Sequence, residues 1–134
     1  MANSNALCPC GSTIPYAKCC APLHEGVTHA ASAEQLMRSR YSSAAMKNAG
    51  YMRDTLWPRE QKSLNFAELQ TWLEETLWTG LEVLDASPCP PEATKATVEF
   101  KAKYLSSGKL GVHHELSLFR KKQARWFYVK PLPL

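Results

Sequence analysis

Hydrophobic positions along the chain follow two periods. After Ser32, the residues Met37, Tyr41, Ala44 and Ala45 recur at helical spacing. Ser32-Ala33-Glu34-Gln35 precedes them with capping-box form, the Ser hydroxyl meeting the third helical N–H while Gln35 reaches back. Asn48-Ala49-Gly50 reads as the stop, since Gly tolerates the left-handed conformation at a helix end. A short second helix is expected over residues 51–56, closed by Trp57-Pro58 because the residue before Pro avoids helical angles. A third starts near Asn65, with Glu68 at capping-box spacing and Leu64 packing on Leu69. It runs to about Thr76, with Phe66, Leu69, Leu73 and Leu77 on its apolar side.

Past Gly80 the period becomes two. Residues 81–85 are short and strand-like, and Pro88, Pro90 and Pro91 form a loop. Thr94, Ala96, Val98, Phe100, Ala102 and Tyr104 then alternate with Lys95, Thr97, Glu99, Lys101 and Lys103, a strand with two distinct faces. Ser106-Ser107-Gly108 is a turn, residues 110–120 are the next strand, and Lys121-Lys122-Gln123 turns again. Trp126-Phe127-Tyr128-Val129 is the last strand, stopped by Pro131 and Pro133. Three helices ahead of about four antiparallel strands make an α+β domain with helices on one face of the sheet. On the strand over 110–120, His113, Glu115 and Phe119 share one face, and Val112, His114, Leu116 and Leu118 the other. Both faces carry large apolar groups, so parity leaves open which is inside. It suggests that one face lines the domain and the other packs on a second copy, a homodimer through the sheet.

Composition narrows the class. The chain has 134 residues, 45% hydrophobic and 21% charged, which excludes wholesale disorder. No stretch comes near the ~18 consecutive apolar residues of a membrane helix, so no membrane role is expected. Met1-Ala2-Asn3-Ser4-Asn5 has neither the basic nor the apolar region of a secretory leader, so a cytoplasmic location is expected. From Lys95 onward there are nine Lys/Arg against two acids, whereas residues 1–94 hold seven against ten. A basic last third sits on a mildly acidic body. It suits either a solvated sheet face or an acidic partner, RNA included.

The chemistry concentrates in Cys8-x-Cys10-x8-Cys19-Cys20. Four thiolates suit one structural zinc ion, which takes four soft ligands tetrahedrally. Pro9 stiffens the tight first pair, and Gly11-Ser12 can turn N–H groups toward sulfur. For so small a segment, metal binding supplies folding energy on the order of 10 kcal/mol. Free thiols, a redox role, and a ligand set with His24 in place of Cys20 remain as alternatives; Cys89, alone in its loop, reads as a bystander.

Cys8-Pro9-Cys10-Gly11-Ser12, Tyr16 and Cys19-Cys20 resemble the SEC-C zinc motif that also ends the bacterial SecA translocase ATPase. The rest of the chain is similar to the bacterial YchJ family. The matching residues are Met37-Arg38-Ser39-Arg40-Tyr41, Trp57-Pro58, Trp78-x-Gly80-Leu81, His114-Glu115-x-Ser117-x-Phe119 and Arg125-Trp126-x-Tyr128-Val129. The resemblance implies a zinc-binding SEC-C knuckle over residues 1–24, a linker over 25–31, and a domain like nuclear transport factor 2 over 32–134. That domain is a curved sheet wrapped by helices into a cone with a pocket. It implies no established reaction.

Candidate pocket residues follow. Arg38 and Arg40 are two apart on a helix, so at most one enters the cone, the other meeting the surface or the N-terminal module. Tyr41, Trp57, Trp78 and Trp126 are core aromatics or pocket walls. His113 and Glu115 can pair as a general base and its orienting acid, with His114 as the alternative base. The leading expectation is an interaction protein rather than an enzyme, docking through the cysteine module. By resemblance to the SecA motif, its partner is the SecB chaperone or the ribosome. The alternatives are a small-molecule binder or acid–base enzyme using the cone pocket and, last, a nucleic-acid binder through the basic sheet, RNA being expected only as part of a ribosome.

Overall fold

The computed structural model describes residues 6–134. Residues 1–5, on which the expectation of no secretory leader rests, lie outside them. A cysteine loop with one 3-10 turn (Tyr16–Lys18) leads into α1 (Ala21–His24), α2 (Ala33–Ala45), α3 (Ala49–Asp54), α4 (Pro58–Gln61) and α5 (Phe66–Glu75). Strands β1 (Thr76–Ala86), β2 (Lys95–Ser106), β3 (Lys109–Lys122) and β4 (Arg125–Leu132) form an antiparallel meander in sequence order. The α+β expectation of helices followed by four antiparallel strands holds. Two one-turn helices, α1 and α4, join the three expected ones.

Ser32 caps α2, its hydroxyl accepting from the Gln35 N–H at 3.1 Å, and the Gln35 side chain takes the Ala31 N–H. Asn65 caps α5 by accepting from the Glu68 N–H. The end of α2 differs from expectation. The left-handed residue is Lys47 at φ 61°, not Gly50, and Asn48 opens α3 by accepting from the Tyr51 N–H. Gly50 lies inside α3, which therefore spans Ala49–Asp54 rather than 51–56. Pro58 opens α4 at a position where its missing N–H costs nothing.

The α5–β1 junction also differs. Leu77 was expected on the apolar side of the helix, but it lies in β1, paired with Leu105 and 54% exposed. Pairing with β2 extends the strand back through Thr76-Leu77-Trp78, whose β-branched and aromatic side chains suit a pleated surface. Gly80 follows a register shift after Trp78. Pro131 does not stop β4; it lies inside it, opposite Ser117, which an edge strand tolerates. The turn before β4 is Gln123-Ala124, both at positive φ, so β3 keeps Lys121 and Lys122.

Ala96, Val98, Phe100 and Ala102 of β2 join Phe119 and Trp126 beneath α2 in the main core. The cysteine loop belongs to the same core, since Cys8, Cys10, Cys20 and Leu23 cluster with Leu36, Met37 and Tyr41. No helix among the described residues is long and apolar enough to cross a membrane.

Lys47 reaches across to the end of α5, its ammonium donating to Leu73 O at 2.8 Å and Thr76 O at 3.2 Å. These carbonyls lack helical partners, and the cation also meets the negative end of the helix dipole. Lys47→Met keeps the aliphatic stem and removes these bonds. It should lower unfolding stability by about 1 kcal/mol in urea titration, with the slope unchanged.

Candidate metal centre and cone pocket

Cys8 and Cys10 lie on a tight turn closed by the Gly11 N–H donating to Cys8 O at 3.2 Å, with Gly11 at φ 80°. Cys19 follows the 3-10 turn and Cys20 caps α1. The four sulfur atoms lie within 4.8 Å of one another, and three of the four residues are buried. Cys10 and Cys19 Sγ are 3.6 Å apart, Cys19 and Cys20 Sγ 3.9 Å, and the Ser12 hydroxyl is 3.1 Å from Cys19 Sγ. Hydrogen bonds from Cys20 and Cys8 hold the Cys10 thiol far below its usual range. Giving that bond pushes Cys8 up to about 11 and Cys20 higher still. Thiolates, not thiols, are metal ligands, so a bound cation would favour the ionised form of the sulfurs it meets. Four clustered soft donors, three of them on buried residues, fit a metal ion at this separation.

His24 stands beside this cluster but not in it. Its Nε2–H donates to Ser39 O at 2.8 Å, so Nδ1 is the acceptor, and it takes the Tyr16 hydroxyl at 2.7 Å. Burial keeps its pKa below the usual value. Both ring nitrogens are occupied, and the four cysteines are the cluster the fold assembles. Arg38 Nη1 donates to Cys10 O at 2.8 Å while its Nε pairs with Glu34. Arg38 therefore fastens the cysteine loop to α2 and does not line the pocket.

The cone holds a cavity of about 200 Å³ between α2, α5 and the inner face of the sheet. Its apolar walls include Tyr41, Trp72, Trp78, Phe100 and Phe119; its polar groups are Arg40, His113, Glu115, Ser117 and Tyr128. The register settles the face that parity left open. Phe100 pairs with Glu115 and Ala102 with His113, so His113 and Glu115 point inward. His114 points outward, where its Nε2 meets Glu99 at 2.7 Å, and takes no part in the pocket. Trp57 is also outside, beneath the Arg120 and Lys122 cations. Trp126 is buried and borders a second, smaller cavity beside His24 and Arg125. Of the expected pocket residues, Tyr41 and Trp78 are present; Arg38, Trp57 and Trp126 are not. Arg40, Trp72 and Tyr128 complete it. Trp72 stands one residue before Leu73 on the third helix, outside the Phe66, Leu69, Leu73 and Leu77 set that the helical spacing singles out.

Glu115 is the centre of the polar side. One carboxylate oxygen accepts from His113 Nε2 at 2.8 Å. The other accepts from the Ser117 hydroxyl and from Tyr128 Oη, the latter at 2.8 Å. Only 12% of the Glu115 side chain is exposed, against 49% for His113. The buried acid is thus filled by donors, and the histidine it orients reaches the opening.

The sequence pattern described as the YchJ middle NTF2-like domain matches residues 32–131, and that of the SEC-C motif matches residues 5–22. The chain belongs to the YchJ family. A UPF0225 protein of Geobacter sulfurreducens is 38% identical over 132 residues, covering 95% of this chain and 82% of the relative. The UPF0225 protein of Actinobacillus succinogenes is 41% identical, covering 92% and 80%. The solution structure of a SEC-C motif containing protein from Rhodopseudomonas palustris superposes with a TM-score of 0.87 at 35% identity, covering 96% of this chain and 99% of that one. The crystal structure of a sec-c motif containing protein from Psychrobacter arcticus gives 0.83 at 33% identity, covering 98% and 84%. The YchJ fold and its SEC-C loop are thus shared along nearly the whole chain.

Burial raises the Tyr128 phenol above its usual pKa, and the Glu115 charge adds to this. The unfolded chain therefore releases this proton first, so stability is intact below about pH 10 and falls as pH rises beyond it. Tyr128→Phe should flatten that alkaline decline in urea unfolding measured across pH. At neutral pH it should cost about 1–2 kcal/mol, through the donor lost to Glu115.

Proposed function

We propose that this YchJ protein is a zinc-clipped small-molecule binder of a reducing, cytoplasmic compartment, whose cone pocket presents His113 as a proton acceptor oriented by Glu115. The observation that carries the reading is the filled carboxylate. Because Glu115 accepts at both oxygens, the proton on the bonded His113 nitrogen is Nε2–H. The Nδ1 lone pair of neutral His113 is then free for a ligand, as in catalytic histidines held by an acid. Aromatic walls with few convergent polar groups are the common form of a small-molecule site.

The metal in this reading is one zinc ion. A tetrahedron with Zn–S bonds of about 2.3 Å has S···S edges of about 3.8 Å, and the 3.6 and 3.9 Å separations lie on either side of that value. Four sulfurs leave no position for water, so zinc supplies folding energy and no step of a reaction. It would clip the N-terminal segment to α2, the wall of the pocket.

The four indole N–H groups report ligand position. Single-ring compounds that enter the pocket should shift the Trp72 and Trp78 indole signals in ¹⁵N spectra and leave Trp57 unmoved. A screen in which no compound moves Trp72 or Trp78 selectively would defeat the reading. A second reading, docking of the cysteine module on SecB or the ribosome, has support in exposed apolar side chains on that loop, Leu7 at 61% and Ile14 at 46%. In that case Leu7→Ser with Ile14→Ser should abolish co-sedimentation with the purified partner while metal content stays at one ion per chain. Elemental analysis should find about one zinc per chain, and Cys10→Ser with Cys19→Ser should remove it and lower thermal stability.

A further inference from the structure

Arg40 is a cation inside the cone with no carboxylate against it. The ion pairs among the described residues are Arg38–Glu34, Arg53–Asp54, His113–Glu115 and His114–Glu99. Arg40 Nη1 is held by two neutral acceptors, Met52 O at 2.8 Å and Thr55 Oγ1 at 2.7 Å. The guanidinium lies over the Tyr128 ring, 4.7 Å from its centroid. Glu115 makes no ion pair with Arg40: it accepts from His113, Ser117 and Tyr128, and its charge reaches the guanidinium only at longer range, helping to keep it protonated. Among the described residues no acceptor takes the Arg40 Nε or Nη2 protons. Among the described residues only the Trp78 and Trp126 indole nitrogens are both sealed off and unpartnered, so the free Arg40 donors are not sealed in protein. Arg40 lines the cavity, which puts that space within reach of its unpartnered edge. Burial lowers its pKa only to about 10, so it stays charged at neutral pH.

A desolvated guanidinium with spare donors calls for an anion, and its planar fork matches a carboxylate. The cavity sets the rest. About 200 Å³ exceeds the roughly 150 Å³ that takes a benzene ring, and falls short of the roughly 300 Å³ where drug-sized pockets begin. Glu115 shares the space, so a dianion would leave one negative charge facing another. We propose that the cone pocket binds a small monocarboxylate with a single-ring apolar body, its carboxylate on the free edge of Arg40 and its ring among Trp72, Trp78 and Phe100. This rests on the reading of the cone as a ligand site and names the ligand class for it.

The test uses three single-ring probes on the full chain as purified: phenylacetate, its isostere phenylacetamide, and the cationic phenethylamine. Each is titrated to roughly 10 mM at neutral pH, with the Trp72 and Trp78 indole signals as the readout. Phenylacetate should saturate them with an affinity about tenfold or more above the amide, and the amine should bind least. Arg40→Met should erase the acid-over-amide preference. Because Arg40 also holds Met52 and Thr55, Arg40→Lys serves as a second variant, keeping the charge while losing the fork; it should retain part of the preference. If the amide binds as well as the acid, or the amine binds best, the monocarboxylate assignment is wrong and the ligand-site reading stands. If none of the three moves Trp72 or Trp78 while other single-ring compounds do, the assignment again fails alone. If no compound moves them, both fail.

Discussion

The burial of α2 on two sides is the constraint from which the rest of this structure follows. Ser39, Ser42, Ser43 and Leu36 are fully buried, and Met37 and Tyr41 nearly so. A helix so enclosed has to neutralise its polar side chains without water. The three serines do so first with their own helix, donating to Leu36 O, Ser39 O and Arg40 O. Their small size lets neighbours approach closely, and their second lone pairs remain for partners. Ser39 meets the Tyr51 hydroxyl at 2.7 Å, and Ser42 lies 3.3 Å from His24 Nε2.

Met37-Arg38-Ser39-Arg40-Tyr41 thereby serves two sites through one turn and a half of helix. Arg38 holds the cysteine loop at Cys10 O, and the Ser39 carbonyl holds His24, which in turn holds Tyr16 of the same loop. Arg40 and Tyr41 face the cone. The metal centre and the pocket are thus built on opposite sides of one wall. The cysteine loop is continuous with the main core rather than a knuckle hanging from it. Disordering of the cysteine loop would remove one support of the helix that carries Arg40, which ties the integrity of the pocket to the thiol cluster without any shared ligand.

The sheet contributes a second asymmetry. Its inner face brings His113, Glu115, Ser117 and Tyr128 into one hydrogen-bonded set across β3 and β4. Its outer face carries Lys101 opposite His114 and Lys103 opposite Val112, with Arg120 stacked on Trp57. Much of the basic charge of the last third therefore lies outside. The cation over Trp57 also covers the flat aromatic surface that a nucleic-acid base would need.

Local signals were sufficient for much of this. The capping residues Ser32 and Asn65, the alternation over β2 and the spacing of the four cysteines each act within a few residues of chain. They specified the helix starts, the strand and the metal-ligand cluster on their own. Helix ends were less legible: Lys47, in the left-handed position, bonds the Leu73 and Thr76 carbonyls at the α5–β1 junction, 26 and 29 positions along the chain. The inner face of β3 was undecidable from parity, since both faces carry apolar groups, and only pairing with Phe100 and Ala102 assigned it. The division between Arg38 and Arg40 was foreseen as a choice, because residues two apart on a helix diverge. Which of them faced the pocket was decided by the cysteine loop lying on the Arg38 side and Tyr128 on the other. Short-range sterics and hydrogen bonding are written in the order of residues; the environment of a buried charge exists only once distant elements have packed around it.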